Sequence, residues 1–178
     1  NLLINKLSKN NFEEIIKEFI TTFSDILQED FDIILEKVFT KMIKDDKFME
    51  LFFRFYNKIY TIYNSLFELS NQHLINLIEQ TIKFNYQSLA LEEEYKIIET
   101  LNSEENRING LRLVILLLEN NNLEKDIINI ISNYLVDSKY IPDINFWFSN
   151  KYIIGNTDLK YYNEKLKNKL TDDINNRD

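Results

Sequence analysis

A few clusters of side chains in this sequence have the types that chemistry or charge recognition requires. Ser70 and His73 stand three residues apart, the separation of neighbours on one helical face, and a histidine within reach of a hydroxyl suits nucleophilic catalysis. The pair has no Gly-x-Ser-x-Gly turn around it and no oxyanion hole implied beside it, so His73 reads as a partly exposed structural residue. Glu92, Glu93 and Glu94 supply adjacent carboxylates, but neighbours along a helix point in different directions, and no apolar pocket is implied that would raise one pKa for acid catalysis. Lys37, Lys41 and Lys44 recur at i, i+4 and i+7, which puts three ammonium groups on one stripe able to follow phosphates or simply to keep a helix soluble. Asp45, Asp46 and Lys47 mark a turn between helices, where carboxylates suit the positive end of the next helix and where scaffold loops meet partners.

Other chemistries are excluded by inventory. There is no Cys and one His, which removes Cys/His zinc sites, disulfides and thiol nucleophiles. Gly occurs only at 110 and 155, too few to build a phosphate-cradling loop. No metal site and no cofactor is expected. A formal charge of -8, from 21 cations against 29 anions, argues against a surface that coats nucleic acid throughout, though it leaves room for a local basic strip. The longest apolar run, Leu113 to Leu118, is far below the roughly 20 residues that span a bilayer.

The elements that position these residues are read from apolar spacing. Phe12, Ile15, Ile16, Phe19, Ile20 and Phe23 form one helical stripe, with Ser8 placed to cap it. The polar set Gln28, Glu29, Asp30 interrupts the pattern before a second stripe, Ile34, Leu35, Val38, Phe39, Met42 and Ile43, and these two helices are expected to pair antiparallel. Behind Asp45 and Asp46 a third stripe runs from Phe48 to Leu66, and a fourth runs from Ser70 through Ile82 to Tyr86. The stretch from Ser88 to Glu94 reads as a loop and Ser103 as the start of a fifth helix, which passes Arg107, Leu111, Val114 and Leu118 and ends at Asn120 to Asn122. A sixth follows from Leu123 to Leu135, a less regular stretch around Pro142, Trp147 and Gly155, and a last helix from Thr157 to Asp173. Trp147, between Phe146 and Phe148, is expected in the core.

With so few Gly and Pro and no alternation of period two, the class is all-α. Helix pairs of about 35 to 50 residues, repeated about three to four times, predict an α–α superhelix of antiparallel pairs, a HEAT-like solenoid. One domain is expected over residues 1–178, excised from a longer protein, since the chain opens on Asn1 and its first ten residues lack the core of a signal peptide.

Three segments resemble the middle domain of eukaryotic translation initiation factor 4 gamma, a HEAT-type family. They are Ile4-Asn5-Lys6-Leu7-Ser8 with Phe12, Val38-Phe39-Thr40-Lys41 through Ile43 to Asp45-Asp46-Lys47-Phe48, and Asn109-Gly110-Leu111-Arg112-Leu113-Val114 with Leu117 and Asn121-Asn122-Leu123. The chain departs from the family pattern at Ile115-Leu116, where the family favours Gly-Glu, and at Asp46, where it favours Pro. The resemblance implies a cytoplasmic, monomeric, non-catalytic scaffold that binds a DEAD-box RNA helicase, initiation factor 4A, and contacts RNA weakly. It also implies a cap-binding protein recruited through flanking segments. By the same resemblance Ile4, Leu7 and Phe12 would touch the helicase; the turn Asp45, Asp46, Lys47 is a further candidate helicase contact by its position between helices, and Lys37, Lys41 and Lys44 a candidate RNA strip by their spacing. A helical scaffold of RNA processing or decay with a different partner, and an all-helical metal-dependent enzyme, are the rival expectations.

Overall fold

The computed structural model describes residues 2–63, 66, 93–138 and 140–175. The chain divides into two compact units, Asn1–Gln80 and Thr81–Asp178, where the sequence leads one to expect a single domain. Among the described residues there are helices and no strand, so the fold is all-α.

Unit 1 opens with a short helix α1 (Leu2–Lys6), followed by α2 (Phe12–Thr22), α3 (Gln28–Lys44) and α4 (Asp46–Ile62). The join between α1 and α2 is tied by Asn11. Its side-chain oxygen accepts from both the backbone N–H and the hydroxyl of Ser8, each at 2.8 Å, and its amide donates to the Lys6 carbonyl at 2.8 Å. Ser8 therefore fastens the preceding loop and does not cap α2, whose N-cap position is Asn11 itself. Gln28, Glu29 and Asp30, expected to break the pattern, form the first turn of α3, where acidic groups complement the helix dipole. Gln28 also donates to Asp32 at 2.7 Å and to the Leu66 carbonyl at 2.8 Å, fixing the start of α3 against the chain that follows α4.

The pairing differs from the sequence expectation. α3 packs chiefly against α4, and α2 packs against α1 and α4. Contacts Phe31 to Tyr63, Phe39 to Tyr56 and Lys41 to Phe52 descend on one helix as they climb the other, so α3 and α4 are antiparallel. The single linking residue Asp45 forces that hairpin, whereas the longer 23–27 connection leaves α2 free to lie elsewhere. Arg54 over Phe12 at one end and the Tyr63 hydroxyl donating to the Phe23 carbonyl at the other show α2 and α4 running parallel. The core between them is aromatic: Phe19, fully buried, meets Phe55 edge-on at 5.2 Å and Tyr63 at 6.1 Å.

Unit 2 holds α5 (Glu93–Glu119), α6 (Asp126–Ser138), α7 (Ile141–Ser149), α8 (Lys151–Gly155) and α9 (Leu159–Asn175). α5 begins ten residues before Ser103, so Ser103 lies inside a helix and Glu93 and Glu94 open it instead of ending a loop. It ends where expected, through a Schellman turn. Asn121 takes φ 57°, the Asn122 N–H reaches the Leu117 carbonyl at 2.8 Å and the Asn121 N–H the Leu118 carbonyl at 3.1 Å. Asparagine is the non-glycine residue best suited to this left-handed position. The irregular stretch resolves into α7 and α8, with Pro142 in the first turn of α7, where its missing N–H costs nothing.

Arg107 to Asp143, Arg112 to Phe146 and Leu118 to Tyr152 climb α5 and α7–α8 together, so these elements run parallel. Asn129 to Tyr162, Lys165 to Asn133 and Lys169 to Asp137 show the same for α6 and α9. Alternate helices in parallel contact are what stacked helix pairs produce. Within unit 2, α5 packs on α7 and α8 and α6 packs on α7 and α9; within unit 1, α3 packs on α4 and α2 on α1 and α4.

Candidate functional site

The residues that the sequence assigns to function fall into three places. Ile4, Leu7 and Phe12 are buried at 3%, 6% and 4% exposure, within unit 1. An apolar docking surface needs these side chains in solvent; here they are packed inside unit 1, and Phe12 also receives the Arg54 guanidinium over its ring at 4.6 Å. Ser70, His73 and Glu92 lie outside the described residues.

The remaining predicted residues meet at one corner, the turn from α3 into α4. Asp45 is the N-cap of α4, and its carboxylate accepts from the Lys47 N–H at 3.0 Å. Lys41 and Lys44 lie in the last turn of α3, facing its negative end, and Asp46 lies in the first turn of α4 at its positive end. Helix dipoles therefore explain why these charges are tolerated so close together. Asp46, Lys47 and Lys44 are exposed, Asp45 half-buried.

Lys37 stands about 10 Å further back along α3, seven residues before Lys44 at the rise of an α-helix, and is also exposed. Lys41 does not complete a free basic stripe with them: it is half-buried, with its ammonium 5.6 Å from the centre of the Phe52 ring. The corner's anchor is a residue that the sequence places in the apolar stripe. Phe48 is 47% exposed and touches Phe52 edge-on at 6.3 Å, so it is held on one side and presented on the other. Its signal in the sequence was its position in the first turn after a capped start, where the neighbouring helix has already ended.

A second constellation, in unit 2, is buried and structural. The Arg107 Nε donates to Asp143 Oδ2 at 2.8 Å with both side chains at 1% exposure or less, and the guanidinium lies 4.2 Å from the centre of the Tyr140 ring. Trp147 is fully buried, as expected, and its indole N–H donates to the Ser132 hydroxyl at 2.9 Å; Phe146 and Phe148 are half-buried. Burial pushes the Tyr56 phenol far above its ordinary pKa, with Tyr60 beside it adding to the shift.

Among the described residues no group of three His, Asp or Glu side chains is placed to hold a metal ion, and no helix is long and apolar enough to cross a membrane. The arrangement defines a class, a helical-repeat chain with a charged corner carrying an exposed aromatic. Compared with known proteins, the chain matches no family model, no curated protein and no solved structure.

Proposed function

We propose that this chain is a non-catalytic scaffold that docks another protein at the α3–α4 corner. The partner is a DEAD-box RNA helicase of the initiation factor 4A type, recruited in the cytoplasm for translation initiation. One observation carries the reading: Phe48, half in solvent, follows the one-residue turn at Asp45, in the first turn of α4 with Asp46 and Lys47 and four residues after Lys44. Aromatic anchors inside a polar rim are the usual energetic centres of interfaces. The choice of helicase rests on the resemblance of the three segments to the factor 4 gamma middle domain. With Ile4, Leu7 and Phe12 turned inward, the contact moves from the opening segment to the corner. Lys37 and Lys44 are exposed beside it and provide for a weak, salt-sensitive phosphate contact with RNA.

The test is binding of a 4A-type helicase to the chain, read by pull-down and by stimulation of its ATPase. Phe48→Ala should weaken binding at least about tenfold, the scale of an interface anchor, while helical circular dichroism stays unchanged. Leu7→Asp should instead lose helical signal, because it places a charge in a buried site. A wild-type chain that neither binds nor stimulates the helicase would end the reading, and engagement of the corner by a decay helicase would favour the processing or decay scaffold.

A further inference from the structure

Asn122 Oδ1 and Thr157 Oγ1, both in unit 2, are shut off from solvent and have no hydrogen-bond partner among the described residues. Asn122 is 8% exposed and follows the left-handed Asn121 at the end of α5. Its backbone N–H is spent on the Leu117 carbonyl at 2.8 Å, which leaves the side-chain oxygen still to be met. Thr157 stands in the connection from α8 to α9.

The two loops that carry these oxygens run side by side. The Lys125 ammonium donates to the Asn156 side-chain oxygen at 3.1 Å, joining the residue three past Asn122 to the one just before Thr157. The Tyr152 hydroxyl donates to the Leu118 carbonyl at 3.3 Å and docks the start of α8 on the last turn of α5. From this joint the pairs Asn129 with Tyr162 and Asn133 with Lys165 carry the same alignment along α6 and α9. A buried oxygen left unmet is costly, and folded chains meet such groups with ordered water. The amide oxygen only accepts, whereas the threonine hydroxyl donates and accepts. A water can therefore donate to Asn122 and exchange a bond with Thr157; with the amide turned over, it accepts from the side-chain N–H instead, so the match holds for either placement. A monovalent cation is the poorer occupant, because Lys125 already brings an ammonium to the same joint.

We infer that unit 2 has a site for one ordered water between the loops 120–125 and 156–158, held by Asn122 Oδ1 and Thr157 Oγ1. The water ties the end of α5 to the approach to α9 where the protein's own donors do not reach. The site goes beyond docking at the α3–α4 corner and does not depend on it.

The test is a double-mutant cycle on the full chain, with urea unfolding followed by Trp147 fluorescence. Thr157→Val keeps the side chain's shape and removes the hydroxyl. A hydroxyl that met nothing would be lost at no cost or with a gain, whereas loss of the bridge should lower the urea midpoint by about 0.5–1 M. Asn122→Ala should lower it as well, and in that background Thr157→Val should cost much less, since the two residues share one partner. Oxygen-17 relaxation dispersion of the solvent counts long-lived waters without unfolding the chain, and the count should fall by one in Thr157→Val. A Thr157→Val variant as stable as wild type or more so, strictly additive costs, or an unchanged water count would each overturn the proposal. A wild-type midpoint that differs between sodium and potassium chloride at equal concentration would assign the site to a cation and overturn it too.

Discussion

Removing Asp143 tests the logic of unit 2 most directly. Its carboxylate faces Arg107 at 2.8 Å, with the two side chains at 0% and 1% exposure. Asp143→Ala takes the counter-charge from a cation that solvent cannot reach, and breaking a buried pair from one side costs about 3–5 kcal/mol. Whole domains are held by only about 5–15 kcal/mol, so this loss is a large fraction of the total. With a urea slope of about 2 kcal/mol/M, the midpoint should fall by about 1.5–2.5 M. The assay is built into the chain: Trp147 is the single tryptophan, and it is buried in α7 of unit 2 with its N–H on Ser132. A matched apolar pair, Arg107→Met with Asp143→Leu, should recover to within about 1 kcal/mol of wild type, since buried ion pairs roughly break even against well-packed hydrophobic replacements. An Asp143→Ala loss below about 1 kcal/mol, or a double variant no better than the single, would refute the claim that the pair is sealed from water.

Two smaller perturbations follow from local geometry. Asn121 holds φ 57° at the end of α5, so Asn121→Gly should be neutral to stabilising, whereas Asn121→Val should cost about 1–2 kcal/mol on the same fluorescence readout. Asp137 is held below the ordinary carboxylate pKa, first by the hydrogen bond from Lys169 and then by the charges of Lys165 and Lys169. A depressed folded pKa gives stability that is present above the unfolded value and is lost as pH falls through the folded one. The effect on stability is small because the carboxylate is half-exposed, so the measurement is an NMR titration: Lys169→Ala should move the Asp137 midpoint up toward the usual range, and an unmoved midpoint would remove Lys169 as the cause.

What the sequence showed of this fold follows from what hydrophobic periodicity encodes. Phe12 to Phe23 and Ile34 to Ile43 read as helices because a row at i, i+3, i+4 and i+7 is written in one stretch of chain. Which helices pair is not written there. It depends on loop length and on the angle between rows, which is why α3 lies chiefly against α4 across a single residue and not against α2. End signals were ambiguous for the same reason: Ser8 is a good cap by type, but Asn11 occupies the cap position, and Ser103 has acidic followers yet lies within a helix whose start is at Glu93.

The site was legible only as a set of charges. Asp45, Asp46, Lys44 and Lys47 announce a turn, since dipole and capping preferences are local. Exposure is not local, and that decides function here. Ile4, Leu7 and Phe12 are the apolar residues expected on the surface, and they lie buried; Phe48 and Ile62, both read in the third apolar stripe, are 47% and 44% exposed. Arg107 shows the same limit from the opposite side. Arg107 lies in the stripe of α5, and what makes the interior the favourable place for its charge is Asp143 of α7, thirty-six positions on. For a scaffold built of rows, composition and spacing specify the helices, while the residues left without a neighbour after stacking specify what it can hold. Phe48, 47% exposed next to Lys47, is one such residue in this chain.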